Sequence, residues 1–377
     1  MPTRVKPDDV VAELAVLGHY FCFNQCEARV EFRNGDPLTD EEMSVIRHHL
    51  RRKGLYGESL IWDAIVSEAM RDQYHPIKDF LKLVIKNYDG KPHIEKLASY
   101  FKDTDGVFPL YLRKWLIGSI GKILASEQNP VLVLDGEQGI GKSKFVDWLC
   151  PQTVKTSFVS SPVFPDDKDC RILLGTKWIW EIAELGSTTK KADRELLKHF
   201  LSLERITVRL PYGKRAVDMP AQASFIGTVN DEYGVLNDPT GSRRFRICHI
   251  DEIDWRGYVL DMDIQQVWGE AYDAYIKGES VNLKSDQEKK CREINERYEM
   301  DDAVEGLLKR YYQIDSTRLD WWEETSEIVE ALFLRQGHTR ANTVAVGACC
   351  RRLKLKRVRR QQKNGQQVWG FTGLERI

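Results

Sequence analysis

The stretch Val131-Leu-Val-Leu-Asp-Gly-Glu-Gln-Gly-Ile-Gly-Lys-Ser143 decides the fold. Four apolar residues, Val131, Leu132, Val133 and Leu134, read as a buried parallel strand. The strand runs into Gly136-x-x-x-x-Gly141-Lys142-Ser143, after which Phe145, Val146, Trp148 and Leu149 recur at helical spacing. Strand, glycine loop and helix in that order point to a phosphate-binding loop rather than an ordinary turn. Glycine lets backbone N–H groups curl round an anion without a Cβ clash, and the helix N-terminus adds partial positive charge. The nucleotide-contacting set is therefore Gly136, Glu137, Gln138, Gly139, Ile140, Gly141, Lys142, Ser143 and Lys144. Lys142 is expected to reach the β- and γ-phosphates and Ser143 to ligate Mg²⁺, making a nucleoside triphosphate with Mg²⁺ the expected ligand.

Length and composition bound the rest. A chain of 377 residues exceeds one hydrophobic core, and 42% apolar with 30% charged residues fits a folded, soluble protein. No run approaches eighteen apolar residues and the first residues lack a signal-peptide core, which argues against a membrane span and points to the cytoplasm. The eight cysteines are scattered without zinc spacing and read as free thiols in a reducing compartment. Net charge is −1, so bulk charge says nothing about nucleic acid. Its distribution does, because residues 340–363 hold nine Lys or Arg and no Asp or Glu.

Four segments follow from patterning. Residues 1–58 read as a small mixed unit, with a short hairpin at Tyr20-Phe-Cys-Phe and Ala28-Arg-Val-Glu-Phe and a helix opened by Thr39 and its acids. Residues 59–128 are helical by periodicity and form a collar-like region. Residues 129–300 alternate short apolar strands with helices, as a parallel α/β sheet requires. Residues 301–377 end in helices at 325–336 and 339–355 and a hairpin turning at Asn364-Gly365, a basic, winged-helix-like module.

A phosphate loop needs an acid across the metal. The strand Trp178-Ile-Trp-Glu-Ile-Ala-Glu offers two, and Glu184, where the apolar run ends, is favoured over Glu181 for holding Mg²⁺ and activating water. Asn230 ends the next strand and would orient that water or sense the γ-phosphate. Gly241-Ser-Arg-Arg-Phe-Arg is a cationic turn whose Arg243 or Arg244 would stabilise transition-state charge at a neighbouring subunit. Arg209-Leu-Pro-Tyr-Gly-Lys-Arg215 reads as a hairpin tip whose Tyr212, Lys214 and Arg215 suit single-stranded nucleic acid. In the C-terminal module Arg351 and Arg352 lie on the helix expected to enter a DNA groove. Lys356, Arg357, Arg359 and Arg360 lie on the hairpin expected to track phosphates.

The ordered set resembles the virulence-associated protein E family, relatives of the superfamily-three AAA+ helicases of phages and mobile elements. The residues that carry it include Tyr74-His-Pro-Ile-Lys-Asp, Asp89-Gly-Lys-Pro, the phosphate loop itself and Trp180-Glu-Ile-Ala-Glu-Leu. Further on come Leu197-Lys-His-Phe-Leu-Ser, Val208-Arg-Leu-Pro-Tyr-Gly, Phe225-Ile-Gly-Thr-Val-Asn, Gly241-Ser-Arg-Arg-Phe and Gln266-Val-Trp-Gly-Glu-Ala-Tyr. The resemblance implies an AAA+-like P-loop core and a homo-oligomeric ring, a hexamer, with ATP sites at subunit interfaces. It also implies Glu184 as the acid, Asn230 as the sensor and Arg243 or Arg244 as the finger in trans. Single-stranded or forked DNA is the expected partner, with priming or initiation supplied by another chain. The rival expectation is an ATP-switched initiator or regulator that binds DNA without unwinding it; a small-molecule kinase fits poorly, since no acceptor-binding pattern follows the loop.

Overall fold

The computed structural model describes residues 6–163, 167–183, 185, 191–209, 216–230, 244–298, 302–336, 343–361, 365 and 367–377. An N-terminal unit comprises α1 (Pro7–Val16), β1 (Phe21–Asn24), β2 (Arg29–Phe32), α2 (Asp40–Arg52), α3 (Glu58–Arg71) and β3 (Gln73–Tyr74). β1 pairs antiparallel with β2 and parallel with β3. Thr39 caps α2 reciprocally with Glu42, as the S/T-x-x-E pattern predicts. One apolar cluster, from Val10 to Ala69, closes the unit and takes in Ile61 and Ile65 of α3.

Next come α4 (Pro76–Asn87), α5 (His93–Ala98), β4 (Phe101–Asp103) and α6 (Phe108–Ala125). These pack with the sheet, so residues 59–128 divide between two cores. α6 is apolar nearly all round, and Tyr111, Leu112, Trp115, Leu116, Ile117 and Ile120 are at most 1% exposed. A helix without a polar stripe belongs inside. Its Trp115 satisfies the indole N–H on the Phe225 carbonyl at 2.8 Å.

The central unit runs β5 (Val131–Asp135), α7 (Lys142–Leu149), β6 (Phe158–Ser160), α8 (Lys168–Thr176), β7 (Ile179–Ile182) and α9 (Lys191–Leu201). A hairpin of β8 (Arg205–Val208) and β9 (Val217–Pro220) precedes β10 (Ser224–Thr228) and β11 (Phe245–Ile253). Helices α10 (Trp255–Asp261), α11 (Ile264–Ile276) and α12 (Ser285–Tyr298) follow. The main sheet has the order β4-β11-β5-β10-β7-β6, parallel except for β4. Patterning marks four of these strands. It misses β6 and β4, which are three residues each and carry no apolar run. β5 sits between β11 and β10 and is wholly buried, which is why it reads as continuous Val and Leu. Burial of each of its four aliphatic side chains is worth about 1.5–3 kcal/mol.

Several residues that carry the family resemblance turn out to be packing and capping devices. Trp268 lies 4.3 Å from the Trp178 ring centroid and donates to the Leu149 carbonyl. Gly269 lets α11 touch α4, since a Cβ there would meet Tyr88 at 2.9 Å. Glu270 is buried and accepts from the Ile94 amide at 2.6 Å and from Arg113 at 2.5 Å.

The C-terminal unit holds α13 (Asp302–Tyr311), β12 (Tyr312–Ile314), β13 (Trp322–Glu324), α14 (Thr325–Gln336), α15 (Thr343–Arg352), β14 (Arg357–Gln361), β15 (Gln367–Thr372) and β16 (Leu374–Arg376). Its sheet, ordered β13-β15-β14, covers a separate core that includes Leu308, Ile328, Leu332, Val346, Cys350 and Phe371. All eight cysteines are buried free thiols. No described helix is long and apolar enough to cross a membrane.

His75 ties α4 to the sheet unit and titrates with it. Its Nδ1 accepts from the Lys78 amide, which leaves the neutral tautomer to donate from Nε2 to Gln222 Oε1 at 3.1 Å. Burial first, then nearby Lys78, pulls its pKa down to about 4. The folded state therefore stays neutral while the unfolded chain takes up a proton below about pH 6.5, so stability falls on acidification through this window. Between pH 6.5 and 4 the melting midpoint should drop by the equivalent of roughly 1–3 kcal/mol. His75→Gln should flatten that dependence in pH-resolved thermal melts, and an unchanged slope would rule His75 out as its source.

Candidate functional site: a phosphate loop at the sheet edge

The loop 136–141 leaves the C-terminal end of β5, where parallel strands of α/β sheets present their ligands. Gly136, Gly139 and Gly141 have φ of 144°, 88° and 109°. Gly136 is held closest, because a Cβ there would lie 2.2 Å from the Ile250 carbonyl oxygen of β11. α7 begins at Gly141 with no side-chain cap and no acid in its first turn. Its start is therefore suited to an anion.

Lys142 is 5% exposed, and its ammonium donates to the Gly136 and Glu137 carbonyls at 2.5 and 2.8 Å. Ser143 and Lys144 are exposed at the helix start. Lys144 stands over the Trp255 ring at 4.1 Å, and Trp255 also closes on Gly141. The donor set, one ammonium, one hydroxyl and a row of backbone amides, fits a Mg²⁺-bound nucleotide phosphate chain.

Strand register places Glu181 and Asn230 relative to this edge. On β10, Ile226 pairs with both Leu132 and Glu181, and Thr228 pairs with Leu134. Glu181 is 2% exposed, and the Thr228 hydroxyl donates to its Oε1 at 3.5 Å. Two strand spacings, about 10 Å, separate β7 from β5. Asn230 follows β10, two residues past Thr228, and the Val229 amide between them bonds the Leu134 carbonyl at 3.0 Å. Asn230 thus stands at the loop end of the sheet with Lys142, whereas the Glu181 backbone lies level with Leu132, about 13 Å of strand back from Gly136, and its carboxylate reaches toward that end only as far as the Thr228 hydroxyl. Glu184 lies outside the described residues, as do Arg243 and the hairpin residues Tyr212, Lys214 and Arg215.

Arg244 is not at that edge. It precedes Phe245, which pairs with Val131 at the start of β5, so about 20 Å of strand separates its backbone from Gly136. Its Nε donates to Ser202 Oγ at 2.7 Å. The basic C-terminal residues Arg351, Lys356, Arg357, Arg359 and Arg360 belong to α15, β14 and the turn between them, in the separate C-terminal unit; Arg352 closes α15.

Patterning missed a second polar group at the loop. Asp135, the last residue of β5, is 2% exposed. Its Oδ2 accepts from the Tyr298 hydroxyl at 2.7 Å and lies 2.7 Å from His249 Nδ1. Tyr298 ends α12, whose Arg297 pairs with Asp105 at 2.7 Å. Nothing local marks Tyr298, because its partner is 163 residues away. Among the described residues, no group of three or more His, Cys, Asp and Glu is placed to hold a metal.

These elements define a mixed α/β fold with a central, mostly parallel sheet and a glycine-rich loop after β5. The virulence-associated protein E-like domain model matches residues 81–300, and the chain belongs to that family. No curated protein matches it. Two solved structures of the NrS-1 C-terminal region are similar over 98% of this chain and 100% of theirs. One, an A-form apo structure, has 14% identity and a TM-score of 0.44; the other, an apo structure of the region 305–718, has 13% and 0.45. Likeness at that level carries no functional weight.

The contact with Ile250 makes a direct prediction. Gly136→Ala should cost about 2–5 kcal/mol through a left-handed backbone and a carbonyl clash. Gly139→Ala has open space around it and meets only the backbone strain, about 1 kcal/mol. Denaturant melts of the two variants compare them, and equal losses would show that the β11 approach is not what demands glycine.

Proposed function

We propose that the chain is an ATP-driven DNA translocase or helicase, hydrolysing ATP between subunits of a homo-oligomeric ring. The observation that carries this reading is the strand order. Numbering the five parallel strands along the chain, the sheet runs 5-1-4-3-2. The phosphate loop follows strand 1, Glu181 lies on strand 3 and Asn230 follows strand 4. This order supports an AAA+-like core, and the family resemblance supports a role in replication of a phage or mobile element.

In this reading Lys142 turns from the loop carbonyls to the phosphates, and α7 amides neutralise their charge. Ser143 and one strand-3 acid hold Mg²⁺, which supplies charge neutralisation across the phosphate oxygens when bound. Glu184 polarises the attacking water, with Glu181 as the alternative, and Asn230 orients it. The remoteness of Arg244 from its own loop suits a guanidinium acting on the next subunit, alone or with Arg243. The hairpin residues Tyr212, Lys214 and Arg215 contact the strand in the ring, and the C-terminal module grips DNA at its entrance.

ATP hydrolysis by the purified chain should be stimulated by single-stranded DNA and abolished by Lys142→Ala. Arg244→Ala should lose about 10³-fold or more if it is the finger. Mixing Lys142→Ala with Arg244→Ala chains regenerates complete interfaces and should restore part of the activity; no restoration would remove the shared site. Glu181→Gln and Glu184→Gln, assayed side by side, assign the acid. Removing residues 303–377 should leave DNA-stimulated hydrolysis intact in a translocase, whereas an ATP-switched initiator would lose every response to DNA.

A further inference from the structure

We propose that Trp369, flanked by Arg357 and Arg359, is a base-stacking platform for single-stranded nucleic acid. Trp369 is 46% exposed on β15, an unusual position for the largest side chain when the same strand buries Phe371 two residues on. Antiparallel pairing sets Arg359 directly opposite Trp369, and Arg357 sits diagonally from it. Their guanidinium carbons lie 5.7 and 4.7 Å from the ring centroid. Neither arginine has a carboxylate partner among the described residues, whereas Arg318, which covers Trp321, is neutralised by Asp320 at 2.8 Å.

The geometry discriminates between nucleic-acid forms. Arg357 and Arg359 point to one face of the sheet and are separated by about 6.6 Å along β14. Both guanidinium groups rest over the indole in the free protein, and on binding each swings off the ring to one of two successive phosphates of an extended strand while the base between them takes their place on the indole. In a duplex the base faces are stacked on one another and unavailable to Trp369, so the site selects unpaired nucleotides. Two cations without the ring would bind duplex and single strand through phosphates alone.

The inference does not depend on hydrolysis, so it is tested on the full chain without nucleotide. The probes are a fluorescent 12-mer of thymidine, its uridine counterpart, the matching duplex and a 12-mer of abasic sites. The thymidine or uridine strand should bind about tenfold tighter than the abasic strand, and whichever is tighter names the sugar. In a Tyr212→Ala background, which removes the other aromatic assigned to the strand, Trp369→Ala should erase that preference, while Trp369→Tyr keeps most of it. Arg357→Ala with Arg359→Ala should lower the slope of log affinity against log salt by about 1.4. Equal binding of base-containing and abasic strands, or an unchanged preference in Trp369→Ala with Tyr212→Ala, overturns the proposal, as does capture of acidic polypeptide in place of any oligonucleotide. A wild-type base preference in a chain that shows no ATP hydrolysis would sink the translocase reading and leave this one standing.

Discussion

The contact between Gly136 and the Ile250 carbonyl is the constraint on which the site depends. β5 and β11 are paired along their full parallel register, from Phe245 with Val131 to His249 with Asp135. The chain must then turn away from β5 while β11 runs on to Ile253 beside it. Only a residue without Cβ passes there, and only a left-handed backbone aims the following amides inward. The position of Lys142 follows from that turn, because α7 starts as soon as the loop has closed.

The same strand end joins the nucleotide edge to the rest of the molecule. Asp135 immediately precedes Gly136 and carries both His249 and Tyr298. Charge-assisted hydrogen bonds of this kind are worth about 1.5–3 kcal/mol each when buried. α12, for all its charged residues, buries Cys291, Ile294, Asn295 and Tyr298 and anchors Arg297 on Asp105. The helix leading toward the C-terminal unit is thus bonded to the residue before the phosphate loop. Movement of that loop and movement of α12 have a shared side chain.

Legibility differed by the range of the interaction. The phosphate loop, the capping box of α2, helix α14 and the basic hairpin are local patterns, and each occupies the span its residues suggest. β4 and β6 were not legible, because three-residue strands at sheet edges take their conformation from a neighbour's hydrogen bonds rather than from an apolar run. Glu181 reads as the lesser of two acids from its place within the strand, and pairing with Ile226 keeps it there, with the Thr228 hydroxyl on its carboxylate. Trp369 was invisible because exposure of one tryptophan in an alternating strand cannot be told from burial of the next aromatic.

By itself the sequence determined that a glycine loop of phosphate-binding pattern follows an apolar strand, which strands are apolar enough to lie beneath it, and that residues 340–363 are basic and free of acids. These are properties of short windows, set by side-chain chemistry and backbone freedom. Only the tertiary structure decided the strand order, the placing of Asn230 beside the loop that carries Lys142, the contact of Glu181 with Thr228, the removal of Arg244 to the other edge, and the bond from Tyr298 to Asp135. Those depend on pairings between residues tens to more than a hundred positions apart, where register and crossover, not local preference, choose the neighbours.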